Sequence, residues 1–129
     1  MNKAQLLTED LGKAIVKLNE ALAAPYTELN RDATIQRFEF TFELSWKLMH
    51  AVLTDNGIEV YGPKNSIREA ARLGMTKDPE KWLVFLHYRN LTTHKYDEAT
   101  AEDIYQVVRD FPRSATNLLE IIQNKFLTS

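Results

Sequence analysis

Apolar residues along most of this chain recur at the three- and four-residue spacings of helices. Leu7, Leu11, Ala14 or Ile15, Leu18 and Leu22 keep that period from residue 2 to about residue 23. Ala23-Ala24-Pro25 ends it, because proline lacks an amide donor and disfavours the α region in the residue before it. Asn30 or Asp32 offers a cap for a second helix. There the pattern changes. Phe38, Phe40, Phe42, Leu44, Trp46 and Leu48 alternate with Glu39, Thr41, Glu43, Ser45 and Lys47, which is the period of a strand. Two arguments favour a helix instead. No second long segment supplies a strand partner, and a lone strand leaves its backbone groups unpaired. The flanks, Ile35 on one side and Met49, Val52 and Leu53 on the other, also keep a consistent helical face. The pattern predicts a helix over about 31–54 with aromatics spread around most of it. Such a helix must be covered on more than one side, centrally in a bundle or against another subunit.

Asn56-Gly57 is a stop signal, since glycine accepts the left-handed conformation that commonly ends helices. Ile58 to Pro63 reads as a connector. Ser66 with Glu69 forms a capping box for a short third helix running to about Leu73, closed by Gly74. Asp78-Pro79 opens a fourth that carries Trp82, Phe85 and Leu86 to Arg89. Thr100 with Asp103 caps a fifth, in which Ile104, Val108, Phe111, Ala115, Leu118, Ile122 and Phe126 repeat and Pro112 introduces a bend rather than an end. The expected fold is all-α: a five-helix up-down bundle, with a four-helix-bundle-like core and one short extra helix. It reads as a single domain over 1–129.

The chain has 129 residues and no cysteine, which removes disulfides and thiolate metal sites. No stretch is apolar enough to span a membrane, and Met1 to Gln5 lacks the apolar centre of a signal peptide. A cytoplasmic protein without a membrane partner is expected. The net charge of −2 argues against a strong general nucleic-acid binder, so any RNA contact has to be a local patch.

Candidate chemistry gathers in Arg89-Asn90-Leu91-Thr92-Thr93-His94-Lys95-Tyr96. Arg89 ends the apolar stripe of Trp82, Phe85 and Leu86. Its guanidinium reads either as an ion-pair partner of Glu39 or Glu43 or as an anion clamp. Both can hold, because a carboxylate can orient the fork. His94 supplies a side chain suited to proton transfer near neutral pH. On an unbroken helix these two would lie about 140° apart in projection. Thr92-Thr93 is a weak helix former, so the helix is expected to end there and let the histidine fold back towards the arginine. A phosphate-holding cation with a proton shuttle is what RNA cleavage without a metal needs, since the ribose 2′-hydroxyl supplies the nucleophile. The same break would disperse His87 and His94. A metal site needs three or four converging ligands, and neither a metal nor another cofactor is expected. Lys64, Arg68 and Arg72 read as a solvated face, with a phosphate-contacting ridge as the lesser alternative. His50 reads as a helix-flank residue.

The spacing R-x4-H-x-Y, here Arg89, His94 and Tyr96, resembles the signature of the HEPN superfamily. The run Arg89-Asn90 to Lys95-Tyr96-Asp97-Glu98, together with Phe38-Glu39-Phe40-Thr41-Phe42-Glu43-Leu44-Ser45-Trp46-Lys47, narrows it to one branch. That branch is described both as nucleotidyltransferase substrate-binding proteins and as HEPN toxins paired with minimal nucleotidyltransferase antitoxins. The resemblance covers nearly the whole chain. It implies an endoribonuclease with Arg89 and His94 catalytic, Asn90 supporting them, and Tyr96 as the hydroxyl to which the partner attaches AMP. It also implies a small nucleotidyltransferase encoded nearby as antitoxin, and RNA as substrate. A homodimer would set two Arg-His pairs across one cleft, meeting the need for both an acid and a base. The alternative is a non-catalytic subunit that presents substrate to, or regulates, the nucleotidyltransferase.

Overall fold

The computed structural model describes residues 1–127. Six α-helices and one 3-10 turn follow one another: α1 (Lys3–Ala23), α2 (Glu28–Asp55), α3 (Gly62–Arg72), α4 (Pro79–Leu91), the turn (Thr92–His94), α5 (Glu98–Val108) and α6 (Phe111–Lys125). The all-helical class is as expected. Among the described residues the helices number six, not five.

The segment with strand-like alternation is one unbroken helix. α2 packs against each of the other five helices, which is why it tolerates apolar residues around so much of its surface. Phe38, Phe42, Leu48, Met49, Val52 and Leu53 are fully enclosed. Several of the polar positions are buried too, and each satisfies itself. The hydroxyls of Thr34, Thr41 and Ser45 donate to the carbonyls of Asn30, Arg37 and Thr41 at 2.7, 2.6 and 2.8 Å. A side chain that bonds four residues back leaves no unmet donor in the core.

Two boundaries differ from expectation. Pro112 does not bend a long final helix. The chain leaves α5 at Val108 and starts α6 at Phe111, which puts the proline in the first turn of a new helix. There its missing N–H costs nothing, whereas mid-helix it would cost about 3 kcal/mol. Ser66 does not cap α3 either. That helix starts at Gly62, and the Ser66 hydroxyl donates to the Gly62 carbonyl at 2.7 Å from inside it. The caps of α2 and α5 are Thr27 and Asp97 rather than Asn30, Asp32 or Thr100. Gly57 and Gly74 do take left-handed backbone angles where α2 and α3 end, with φ of 77° and 86°.

One aromatic cluster sets the position of α4. The Phe111 ring lies 5.1 Å from Phe38, 5.9 Å from Phe42, 5.4 Å from Trp82 and 5.0 Å from Phe85. Three of these pairs are edge-on and that with Phe42 is tilted, and such contacts add to the burial of the rings themselves. They fasten the apolar stripe of α4 to the middle of α2, and so bring the end of α4 beside the outer face of α2. No described helix is long and apolar enough to cross a membrane.

Candidate functional site

The helix carrying Arg89 stops where the threonines predict. The Thr92 hydroxyl donates to the Arg89 carbonyl at 2.6 Å, and the Thr93 hydroxyl to the Asn90 carbonyl at 3.2 Å. These bonds occupy carbonyls of the last turn of α4, and the chain tightens into the 3-10 turn. It leaves through two further turn bonds, Lys95 N to Thr92 O and Asp97 N to His94 O. Asp97 then caps α5, accepting from the Thr100 amide at 3.0 Å and the Thr100 hydroxyl at 2.9 Å. The amide bond, with the hydroxyl bond second, holds the Asp97 carboxyl below its ordinary range.

Three ion pairs tie this segment to α2. Arg89 Nε lies 2.8 Å from Glu43 Oε1, so Glu43 is the carboxylate that takes the arginine. Glu39 instead takes Lys95, at 2.6 Å. Arg31, 3% exposed, reaches Glu98 with two nitrogens at 2.8 and 3.2 Å and also touches Asp32 at 3.0 Å. The bond to Glu98 outweighs the cost of burial and raises the Arg31 pKa further above its ordinary value. The same bond lowers that of Glu98. The motif segment is therefore held at both ends and in the middle by one helix.

The pairing of Arg31 with Glu98 is a feature of this segment that reading the sequence missed. A signal for Arg31 exists, since it stands in the stripe of Ile35, Phe38 and Phe42 at helical spacing. A cation inside an apolar stripe requires a partner of opposite charge.

At Arg89 the contact has a particular form. Nε is buried and its N–H is not aimed at the carboxylate oxygen, so the pairing is electrostatic rather than a directed hydrogen bond. The side chain as a whole is 32% exposed. His94 and Tyr96 are exposed, Tyr96 at 80%. His94 Nδ1 lies 3.4 Å from the Tyr96 hydroxyl, and the rings meet edge-on at 5.9 Å. Among the described residues His94 makes no hydrogen bond to Arg89; its polar neighbour is Tyr96. Asn90 is exposed beside them.

The other candidates disperse. Near the far end of α2, His50 Nε2 donates to the Val60 carbonyl at 3.0 Å. His87 is exposed on α4 with its ring against Tyr88. Among the described residues no three His, Asp or Glu side chains gather as a ligand set. Arg72 is paired with Glu69 at 2.7 Å, while Lys64 and Arg68 are exposed. A cavity of about 310 Å³ lies between the α3–α4 connection and α6, but no motif residue lines it.

Comparison with known proteins agrees with this architecture. Residues 7–124 match the family described as nucleotidyltransferase substrate binding protein like. A Haemophilus influenzae protein named probable ribonuclease HepT is 38% identical over 96 residues, which is 70% of this chain and 66% of that one. The match thus spans just under two thirds of that relative. A Thermus thermophilus crystal structure superposes with a TM-score of 0.82 at 34% identity, covering 88% of this chain and 98% of the other. A Haemophilus influenzae structure, described as revealing the fold of a substrate binding domain of a nucleotidyltransferase, superposes with a TM-score of 0.69 at 31% identity, covering 93% of this chain and 96% of the other. The family assignment and the HEPN-type motif thus point the same way: this chain belongs to the nucleotidyltransferase substrate-binding family.

Proposed function

We propose that this chain is a HEPN-type, metal-independent endoribonuclease of the cytoplasm, the toxin of a pair that a small nucleotidyltransferase encoded nearby neutralises. One observation carries it. Glu43 pairs with Arg89 at its buried Nε while the arginine side chain stays about a third exposed, five residues from an exposed histidine. In this reading Arg89 grips two phosphate oxygens and stabilises the charge that builds on phosphorus. His94 moves the proton to or from the ribose oxygen, and Asn90 supports the pair.

One histidine cannot act as acid and base in the same step. A homodimer that joins two such sets supplies both, and exposed apolar side chains on α2 and α4 are available to it. Val84 is 47% and Phe40 39% exposed, and Leu83, Val84, His87 and Tyr88 line an open apolar depression on α4. Light scattering on the purified chain is expected to report a dimer, and a monomer would oppose this part of the reading.

The decisive test is expression without the partner. Growth arrest and cleavage of cellular RNA, both lost in His94→Ala, are the expected outcome. A second reading has its own support: His94 touches Tyr96 rather than Arg89, and the family is described by substrate binding. On that reading the chain is a non-catalytic subunit that presents substrate to, or regulates, a nucleotidyltransferase. Absence of arrest, with stable binding to the co-expressed partner, would favour it.

A further inference from the structure

We infer that Trp46 is a base-stacking platform, so that the site takes single-stranded RNA with one nucleobase on the indole next to the phosphate held by Arg89. The inference rests on the ribonuclease reading and adds a specificity residue to it. On α2, Glu39, Glu43, Trp46 and His50 recur at spacings of four, three and four, which makes one stripe along the edge of the helix. That stripe is distinct from the core stripe of Phe38, Phe42, Ser45 and Met49. Glu39 and Glu43 on it hold Lys95 and Arg89. Trp46 comes next and is bound into the same network: its Nε1–H donates to Glu43 Oε2 at 3.1 Å, while Glu43 Oε1 faces Arg89. A single carboxylate therefore spans the indole and the guanidinium. His50 backs the indole edge-on, with ring centres 6.3 Å apart and planes at 82°.

The two tryptophans of the chain have different surroundings. Trp82 is 1% exposed within the aromatic cluster. Trp46 is only partly buried. Its one polar side-chain atom is already bonded to Glu43, so a ligand that meets the partly buried side chain meets ring carbons. Every base has a π-face, and stacking on an aromatic ring binds single strands with little dependence on sequence. Arg89 and Lys95 are each paired with a glutamate of this stripe, so a phosphate would bind by sharing Arg89 with Glu43, and the ring supplies the part of the affinity that does not depend on charge.

The probe is a single-stranded oligonucleotide blocked at the 2′-oxygen, which binds without being cleaved, followed by intrinsic fluorescence. Binding is expected to quench Trp46 emission and leave the buried Trp82 component in place. Trp46→Leu, which keeps an apolar side chain against the core, should weaken binding by about 5- to 150-fold. With cleavable RNA Trp46→Leu should raise KM above that of Trp46→Phe while their kcat values stay within about two-fold of each other, because both lose the bond to Glu43 and only the leucine loses the ring. Trp46→Phe keeps a ring but loses the bond to Glu43, and should retain most of the affinity. Equal affinity for wild type and Trp46→Leu, or no change in emission on binding, would overturn the inference while leaving the ribonuclease reading intact. Emission that changes with protein concentration alone, and a Trp46→Leu chain that fails to self-associate, would assign the indole to an interface between copies and overturn it too. A chain that binds no single-stranded RNA and cleaves none would instead remove the ribonuclease reading itself.

Discussion

Arg89 Nε and Glu43 Oε1 lie 2.8 Å apart, and this contact joins the last turn of α4 to the middle of α2. In the proposed ribonuclease this ion pair of the scaffold would also position the phosphate clamp. Both side chains are about a third exposed, at 32% and 30%, so solvent screens the pair. Glu43→Gln should therefore change folding stability by no more than about 1 kcal/mol. Activity should respond more. A guanidinium that is no longer oriented loses its alignment with the phosphate, and an error of that size can cost up to about 100-fold in rate. The check is a denaturant midpoint beside kcat/KM on the same preparation. A large stability loss with unchanged cleavage would make Glu43 purely structural.

For the motif pair, His94→Ala is expected to abolish growth arrest and lower RNA cleavage by about 10²–10⁴-fold, the usual worth of a positioned proton shuttle. Its melting temperature should stay near wild type, because His94 is exposed and lies outside the core. Arg89→Lys should fail as well, since lysine keeps the charge but lacks the planar fork. Parental cleavage rates in purified His94→Ala would transfer the proton-moving role elsewhere and favour the binding-subunit reading.

Much of this architecture is legible in the sequence, for identifiable reasons. Where two independent signals agree, as with Asp78-Pro79 or Asn56-Gly57, the helix boundary falls where expected. The alternation over 38–48 misleads only when read locally, because it ignores that threonine and serine hydroxyls satisfy themselves within a helix. Ser66 as a cap and Pro112 as a bend are both reasonable by local chemistry. Packing decides each of them: Ile67 and Ala70 on α3, and Phe111 at the start of α6, have to reach the core. The motif residues are visible from their spacing, and so is Glu43 as one of two candidate partners. The clamp made by Arg31 and Glu98 is not, since its members are 67 positions apart and nothing local links them.

That clamp gives a pH-dependent prediction. Glu98 is held below its ordinary carboxyl range by the bond to Arg31, while Arg31 remains charged throughout. A carboxylate whose folded pKa is depressed contributes stability that is fully present above its unfolded value. That contribution is lost as pH falls through the folded value. The difference in melting temperature between wild type and Arg31→Met should therefore be large at pH 7. It should narrow progressively below about pH 4.3, the ordinary glutamate pKa. Methionine fills much of the same volume, so packing is largely retained. A gap that stays constant from neutral to acid pH would mean that the arginine stabilises by packing alone.

Tyr96 separates modification from catalysis. Its ring is 80% exposed, and its hydroxyl lies 3.4 Å from His94 Nδ1. In the proposed pair, the nucleotidyltransferase attaches AMP to that hydroxyl, placing a bulky anion beside the catalytic histidine. Tyr96→Phe removes the acceptor and leaves Arg89 and His94 in place. A contact at 3.4 Å is weak, so losing it should lower cleavage by no more than about ten-fold, the equivalent of about 1.4 kcal/mol. Cells carrying this variant should then stay arrested when the partner is co-expressed, whereas wild-type cells recover. Intact-mass measurement should show the added nucleotide on wild type and not on Tyr96→Phe. If the partner rescues both equally, neutralisation works by binding and not by modification. If Tyr96→Phe is already harmless without the partner, the phenol belongs to the cleavage chemistry or to the fold. Cleavage by the purified variant, set beside its melting temperature, separates those two.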